Sequence, residues 1–211
     1  MADPWPLRHL VLRTPRLELR PDDDPGLFEL VAEARLGVHP PDYMPFTVPW
    51  TDNPEHEWLQ YHWSARAGVK PANWRINFLV RLDGRVIGTQ GAEATDFAVT
   101  REVTTGSWLG ARHQGKGYGT EMRAAVAMFA FDHLGATRLM SDAFEDNAAS
   151  NAVSRKLGYV PDGTMTLARR GKAATSVRLA LTASRFAAFR PSWTVEVRGL
   201  DDSLPLLVSA P

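Results

Sequence analysis

The sequence of 211 residues contains no cysteine. This absence excludes disulfides, thiolate zinc sites, iron–sulfur clusters and thiol nucleophiles. The net charge is zero, because 24 basic residues balance 24 acidic ones. No electrostatic field of one sign therefore attracts the chain to nucleic acid or to an anionic membrane. No apolar run approaches the roughly 20 residues that span a bilayer, and no signal-peptide pattern opens the chain. We expect a cytoplasmic protein without a nucleic-acid, membrane or metal partner.

The composition is that of an ordinary globular domain, with 44% apolar and 23% charged residues. Hydrophobic periodicity predicts an α+β (mixed α/β) class, because strands neither all adjoin nor alternate regularly with helices. The helix over 54–67 carries an unusual aromatic stripe, formed by Trp58, Tyr61, His62 and Ala65. The predicted strands are 17–20, 77–82, 85–94, 103–109, 138–144, 164–168 and 176–181, and the main predicted helices are 25–36, 54–67, 117–134 and 148–157.

The most informative segment is a glycine-rich turn between the strand that ends near Leu109 and the helix that follows. Gly115, Gly117 and Gly119 stand at every second position, so the main chain there can approach a ligand closely. N–H groups at a helix N-terminus carry partial positive charge and attract phosphate. The turn is therefore predicted to bind a pyrophosphate, although three glycines are also typical of a merely flexible turn. Spacing and position exclude a P-loop and a Rossmann fingerprint.

Gln114–Gly119 reads Gln-Gly-Lys-Gly-Tyr-Gly and resembles the Gln/Arg-x-x-Gly-x-Gly/Ala motif of GNAT acyltransferases, in which this turn holds coenzyme A. Glu121 and the stretch 146–159 resemble the RimJ/RimL branch, which acylates protein N-termini and other amines. The resemblance covers about residues 14–186. It implies a mostly antiparallel, twisted sheet of about seven strands, splayed between strands 4 and 5, with four or five helices. We expect a GNAT domain over 1–188 and an extension over 189–211, one strand (194–198) followed by a loose tail.

The resemblance implies an N-acyltransferase that moves an acetyl or succinyl group from coenzyme A to a primary amine by direct attack. The loop 38–53, the segment 106–110 and the tail 194–198 are similar to an actinobacterial subgroup for which succinyl-CoA is a candidate donor. The acceptor would be a small molecule, a protein N-terminus or a lysine, and a homodimer is one possible assembly. The alternative is a non-catalytic protein that binds acyl-CoA or a partner.

The same resemblance assigns the donor site. The main chain near Leu109 would polarise the thioester carbonyl, and Ser150 would donate a proton to the leaving thiolate. Helix capping is the other interpretation of Asn147 and Ser150, because Asn is a good N-cap residue. The expected coenzyme A contacts are Leu109, Ala111, Gln114, Gly115, Lys116, Gly117, Tyr118, Gly119, Thr120, Asn147, Ser150, Asn151 and Arg155.

The acceptor site is less defined. An amine must lose a proton before it attacks, yet this chain has Thr104 where many RimJ/RimL-like chains carry an acid. The base therefore stays open among Glu93, Asp96, Glu102 and His39, with Glu102 taken as the catalytic candidate. Thr47 joins His39, Tyr43 and Arg75 as possible partners of a succinyl carboxylate. The expected substrate-binding residues are His39, Tyr43, Phe46, Arg75, Glu93 and Ser107.

Overall fold

A computed structural model describes residues 3–209, and the predicted outer bounds at residues 1 and 211 lie outside that range. Nine strands form one sheet within it, two more than the seven predicted. The first strand was missed because three residues are too few to display a period, and the last falls within the segment 194–198 that was expected to form one strand. In chain order the strands are β1 Val11–Arg13, β2 Leu17–Pro21, β3 Asn73–Leu82, β4 Arg85–Thr95, β5 Glu102–Leu109, β6 Arg138–Phe144, β7 Val160–Arg169, β8 Lys172–Thr182 and β9 Glu196–Arg198.

Seven α-helices lie among residues 3–209, more than the four or five expected, because three short helices carry no sequence period. No helix in this range is long and apolar enough to cross a membrane. In chain order the helices are α1 Asp24–Arg35, α2 Glu55–Ala67, α3 Phe97–Thr100, α4 Tyr118–Met128, α5 Ala148–Leu157, α6 Ala183–Phe189 and α7 Pro205–Val208.

The sheet has the order β7-β8-β6-β5-β4-β3-β2-β1-β9. Neighbouring strands run antiparallel except for β5 and β6, which are parallel. These two strands pair only where Glu102–Thr104 faces Arg138–Met140, so they diverge beyond that point. They are the fourth and fifth strands predicted from sequence, and the predicted splay is confirmed between them. The divergence opens a gap in the middle of the sheet.

The two faces of the sheet around this gap carry different layers. Ile76 and Phe78 of β3 belong to the main core, which includes Met122 and Phe129 from the α4 side. Side chains alternate between the faces of a strand, so Leu79 points to the other face. There it packs in a second core cluster with residues of α1. The gap therefore joins a face covered by α4 to a face covered by α1 and α2.

Helix α4 is buried on every side, since all residues from Glu121 to Met128 are buried. The predicted apolar stripe of Met122, Val126 and Phe129 is confirmed. The predicted single helix over 117–134 divides, because the α-helix ends at Met128 and Phe129–His133 forms a wider π turn. A charged side chain on a helix that is buried on all sides loses its hydration, so it needs hydrogen-bond or ion-pair partners. Helix α4 carries two such residues, Glu121 and Arg123.

The C-terminal segment does not lie loose, contrary to expectation. β9 pairs with β1 at the sheet edge, which gives that strand a partner in its own chain. Leu207 of α7 is fully buried, and the Nε1 of Trp74 donates to its carbonyl at 2.8 Å. The segment therefore completes the edge and core of the same domain.

Candidate active site

The glycine-rich turn is an exposed nest of main-chain donors. Gly115 and Gly117 have φ values of +74° and +85°, which favour glycine. None of the N–H groups of residues 115–120 donates to an acceptor in the described chain, and the first internal bond runs from the Glu121 N–H to the Gly117 carbonyl. A helix leaves its first N–H groups free, and here the turn adds three more. Such a row of donors fits a diphosphate.

An ion pair between a buried carboxylate and a half-exposed arginine supports the turn. The carboxylate of Glu121, in the first turn of α4, accepts from the Oγ1 of Thr14 at 2.5 Å and from the Nε of Arg16 at 2.6 Å. Arg16 also donates to the carbonyl of Lys116 at 3.1 Å and lies over the Tyr118 ring at 4.6 Å. The link between β1 and β2 thereby fixes the shape of the turn.

Arg112 and His113 form a basic link before the turn, and their partner is a carboxylate of the chain itself. Arg112 and His113 both bind the carboxylate of Glu33, a buried residue of α1. Burial lowers the pKa of His113. A Cβ on Gly110 would lie 2.0 Å from the Oε1 of Glu33, so only glycine fits there. Lys116 is the remaining cation of the segment, and it forms no ion pair within residues 3–209.

The predicted coenzyme A contacts at the strand end are partly engaged within the chain. Gln114 donates from its Nε2 to the carbonyls of Val38 and Leu109, each at 2.8 Å. The N–H of Ala111 donates to the Gly37 carbonyl at 2.9 Å, so that group is not free for a ligand. The side chain of Gln114 therefore braces the loop, while its neighbours in the turn present their main chain.

The start of α5 faces the same region. The Oδ1 of Asn147 accepts from the N–H of Ser150 at 3.1 Å, and its Nδ2 donates to the Pro45 carbonyl at 3.2 Å. Asn147 thus caps α5 through the main-chain N–H of Ser150, and the Ser150 hydroxyl has no hydrogen-bond partner among the described residues. Asn151 donates inward to the carbonyls of Phe144 and Glu145. Arg155 is exposed.

A cleft of about 500 Å³ connects the two faces of the sheet at the splay. Its walls include Ser107 and Arg123 on the α4 face, and Gly106 on the α1–α2 face, with Asn147 and Ser150 at the start of α5. The Cα register aligns Asn77 with Gly91 and Gly91 with Gly106. Two adjacent strands therefore offer bare backbone on the α2 side, and a Cβ on Gly106 would meet nothing within 4 Å.

The aromatic loop 38–53 covers one side of this cleft. The ring centroid of Trp50 lies 5.1 Å from that of Phe46, 4.7 Å from that of Trp58 and 4.9 Å from that of Trp108. Arg170, in the β7–β8 turn, pairs with Asp52 at 2.7 Å. These contacts hold the loop against the sheet.

The predicted acceptor residues separate into two groups. Phe46, Arg75, Glu93 and Ser107 line the cleft, with Arg75 and Glu93 forming an ion pair. The other three predicted residues do not line it: His39 binds the Pro40 carbonyl and Thr51, Tyr43 contacts Asp146, and Glu102 pairs with Arg138 at 3.4 Å. Glu102 lines a second cavity, beside α3.

A family model described as Acetyltransferase (GNAT) domain matches residues 9–160, well over half of the chain. The chain belongs to the GNAT acetyltransferase family. This result confirms the family that the two motifs predict. No group of three His, Asp or Glu residues within 3–209 is arranged to hold a metal ion.

The GNAT chain is similar to several solved structures. RimJ of Mycobacterium smegmatis, in complex with a coenzyme A disulfide, is 20% identical, with a TM-score of 0.66 and coverage of 85% of this chain and 90% of that chain. RimL, a ribosomal L7/L12 alpha-N-protein acetyltransferase in complex with coenzyme A, is 21% identical, with a TM-score of 0.64 and coverage of 80% and 95%. A GCN5-related N-acetyltransferase from Brucella melitensis is 17% identical, with a TM-score of 0.69 and coverage of 85% and 81%. These likenesses concern the fold.

One charged residue of the GNAT cleft, Arg123, was not predicted from the sequence. Arg123 is only 4% exposed; its Nη1 donates to the Oγ of Ser154 at 2.8 Å and its Nη2 to the Oγ of Ser107 at 3.3 Å. Its Nε has no partner, and no carboxylate among residues 3–209 pairs with it. Burial lowers the pKa of this guanidinium. An arginine inside a buried helix was the available signal.

A histidine–aspartate pair on the opposite wall was also not predicted from the sequence. His62 of α2 lines the cleft and binds Asp22. The aromatic stripe predicts that His62 is buried, and a buried histidine needs a hydrogen-bond partner. Asp22 is the first of three consecutive aspartates before Pro25, however, and in the sequence each of the three is equally suited to cap the helix that follows.

Proposed function

We propose that this chain transfers an acyl group from an acyl-coenzyme A to a primary amine by direct attack of the amine on the thioester. The observation that carries the proposal is the row of free N–H groups at residues 115–120, beside α5 and the end of β5. A Cβ on Gly119 would lie 3.6 Å from Val153 of α5 and 3.9 Å from Leu109. A diphosphate held there would lie beside the splay.

The residues present fit coenzyme A. Main-chain donors of 115–120 and the ammonium of Lys116 would hold the diphosphate, and the diverging end of β5 would hold the pantetheine arm. When bound, the acyl-coenzyme A supplies an activated thioester. Leu109 would offer its main chain to the thioester carbonyl, and the free hydroxyl of Ser150 would protonate the leaving sulfur. Because the chain has no cysteine, no thiol relay is involved.

The acceptor class is an amine that reaches the cleft from the α2 side. Bare backbone at Gly106 leaves room there for a flexible chain. RimL, one of the structural relatives, is described as an alpha-N-protein acetyltransferase, which supports protein N-terminal amines alongside small amines as acceptors. Arg75 and Glu93 offer one charge of each sign at the same wall.

The donor is acetyl-CoA or succinyl-CoA, and Arg123 favours a donor with an anionic tail. A buried guanidinium without a carboxylate costs several kcal/mol of desolvation. A succinyl carboxylate would provide the missing partner. Arg75, the cation named from sequence, is already paired with Glu93, so Arg123 is the better candidate.

The test incubates the purified protein with acetyl-CoA or succinyl-CoA and a panel of amines, including peptides with free N-termini, while free thiol is titrated. We expect amine-dependent thiol release. Tight acyl-CoA binding without release with any amine would favour the alternative, a binding protein. Release from acetyl-CoA alone would refute the succinyl donor and leave the acyltransferase.

A further inference from the structure

A histidine–aspartate pair forms part of the cleft wall on the α2 side. His62 is 6% exposed and Asp22 is 7% exposed. The Nδ1 of His62 lies 2.5 Å from the Oδ2 of Asp22. The N–H of Asp22 donates to the Asn77 carbonyl at 2.9 Å, which fixes the aspartate to β3. The pair therefore joins α2 to the sheet beside the bare-backbone floor.

The pairing determines which ring nitrogen carries the proton. A carboxylate only accepts, so the Nδ1 must donate and the neutral ring keeps its lone pair on Nε2. The Nε2 has no hydrogen-bond partner within residues 3–209, although its residue lines the cleft. A neutral imidazole with a free lone pair at a substrate cleft is suited to accept a proton.

The floor between this pair and the splay is open at Gly106, whereas the Asn77 amide lies over Gly91, with its Oδ1 3.3 Å from where a Cβ would stand. Asn77, Gly91 and Gly106 align across β3, β4 and β5, and two strand spacings amount to about 10 Å. Neither glycine places a side chain in that path. An amine together with one or two water molecules can occupy this length, and water transmits protons.

Other charged groups surround the pair. Arg66 of α2 has its Nε 3.5 Å from the Oδ1 of Asp22, and this gives the aspartate a cationic neighbour. The Tyr61 ring meets the His62 ring edge-on at 5.3 Å. The remaining charged residues of the cleft wall are Glu57, Arg75, Glu93, Arg123 and Asp142.

We propose that His62 takes the proton of the acceptor amine, with Asp22 as a positioning residue. This inference rests on the proposed acyl transfer. The ammonium loses its first proton to the Nε2 of His62 through cleft water, and His62 returns it to solvent. The amine nitrogen then forms the C–N bond while the C–S bond breaks, and its second proton ends on the sulfur by way of Ser150.

The experiment compares His62→Gln and Asp22→Asn with wild type, and uses His56→Gln, at an exposed position of the same helix, as the control. The acceptor is the primary alkylamine with a pKa near 10 that wild type acylates fastest, and the donor is acetyl-CoA. Thiol release is followed across pH. Donor affinity is measured by titration calorimetry, and folding by thermal melts.

We expect both variants to lower kcat at neutral pH by about 100-fold and leave donor affinity unchanged. Wild-type kcat/KM should level off well below the pKa of the amine, because His62 removes the proton. In His62→Gln it should keep rising to that pKa, so alkaline pH rescues the variant.

A role for His62 that is only structural would change melting and donor affinity without altering the pH profile. A rate for His62→Gln within a factor of about three of wild type would overturn the inference. So would a wild-type rate that itself rises continuously to the pKa of the amine, and this result needs no variant to fold. If wild type released no thiol with any amine, the proposed function would fail instead.

Discussion

The two ends of the cleft are built in opposite ways. At the proposed donor end, residues 115–120 are contiguous and exposed or half-buried, and their main-chain N–H groups have no partner within residues 3–209. At the acceptor end, Asp22, His62 and the glycine pair come from four separate segments, and buried side chains carry the charge. A site made of one turn leaves a motif in the sequence. A site assembled by strand register leaves scattered residues, each with an ordinary structural explanation.

The largest expected effect breaks the donor end. Gly117→Glu places a carboxylate among N–H groups that face a diphosphate, so we expect acyl-CoA affinity to fall by about 100-fold or more. Titration calorimetry with coenzyme A measures it. Unchanged affinity would contradict the assignment of the turn.

The variant Gly171→Glu is the control for backbone strain in Gly117→Glu. Gly171 has a φ of +77°, close to the +85° of Gly117, and a Cβ there meets nothing within 4 Å. Both variants should lose about 1–2 kcal/mol of unfolding free energy, but only the first should lose coenzyme A. Equal losses of affinity would trace the effect to strain.

Arg123→Met tests whether the buried cation serves the donor. We expect kcat/KM with succinyl-CoA to fall by about 30-fold relative to acetyl-CoA, because a hydrogen bond to a charged group is worth about 1.5–3 kcal/mol. The melting temperature should not fall, since an apolar side chain of similar size removes an uncompensated buried charge. Equal losses with both donors, together with a lower melting temperature, would instead make Arg123 a structural residue.

Gly106→Val sharpens the picture of the acceptor end. A Cβ there enters open space, and valine suits a strand, so the fold should be kept while the floor fills. We expect KM for the amine to rise about tenfold, the effect of roughly 1.4 kcal/mol, without a change in coenzyme A affinity. Gly106→Ala should give a smaller rise. If wild type, Gly106→Ala and Gly106→Val had equal KM values for the amine, the amine would not bind over this floor.

Ser150→Ala has the smallest expected effect. Because the cap uses the Ser150 N–H and not its hydroxyl, the melting temperature should stay constant, while kcat falls by up to about tenfold, the effect of one hydrogen bond of about 0.5–1.5 kcal/mol. Asn147→Ala is the matched variant for the cap and should cost about 1 kcal/mol of stability. A drop in melting temperature for Ser150→Ala with unchanged kcat would contradict its role in proton transfer.

The sequence predicts well whatever is local. The stripe of α4 follows from periodicity and the family from two motifs, and the resemblance to that family implies the splay between β5 and β6. The acceptor side is harder, because His39 and Tyr43 lie in the aromatic loop yet bond within it and to neighbouring segments. Whether those residues or Glu102 take part in catalysis stays a prediction.

Long-range partners explain the other differences. The tail after β9 was expected to lie loose, yet Leu207 is buried and its carbonyl accepts from the Nε1 of Trp74, 133 residues earlier in the chain. In the same way, Arg112 and His113 stand next to the glycine-rich turn in the sequence, but both bind Glu33, which lies 79 residues before Arg112.

That glutamate, Glu33, has a consequence for product release. By pairing with Arg112 and His113, it would leave a diphosphate bound at the turn to peptide dipoles and the ammonium of Lys116. A ligand bound in this way can depart without breaking a guanidinium pair. Affinity for spent coenzyme A should therefore depend less on ionic strength than it would with Arg112 and His113 free to bind the diphosphate.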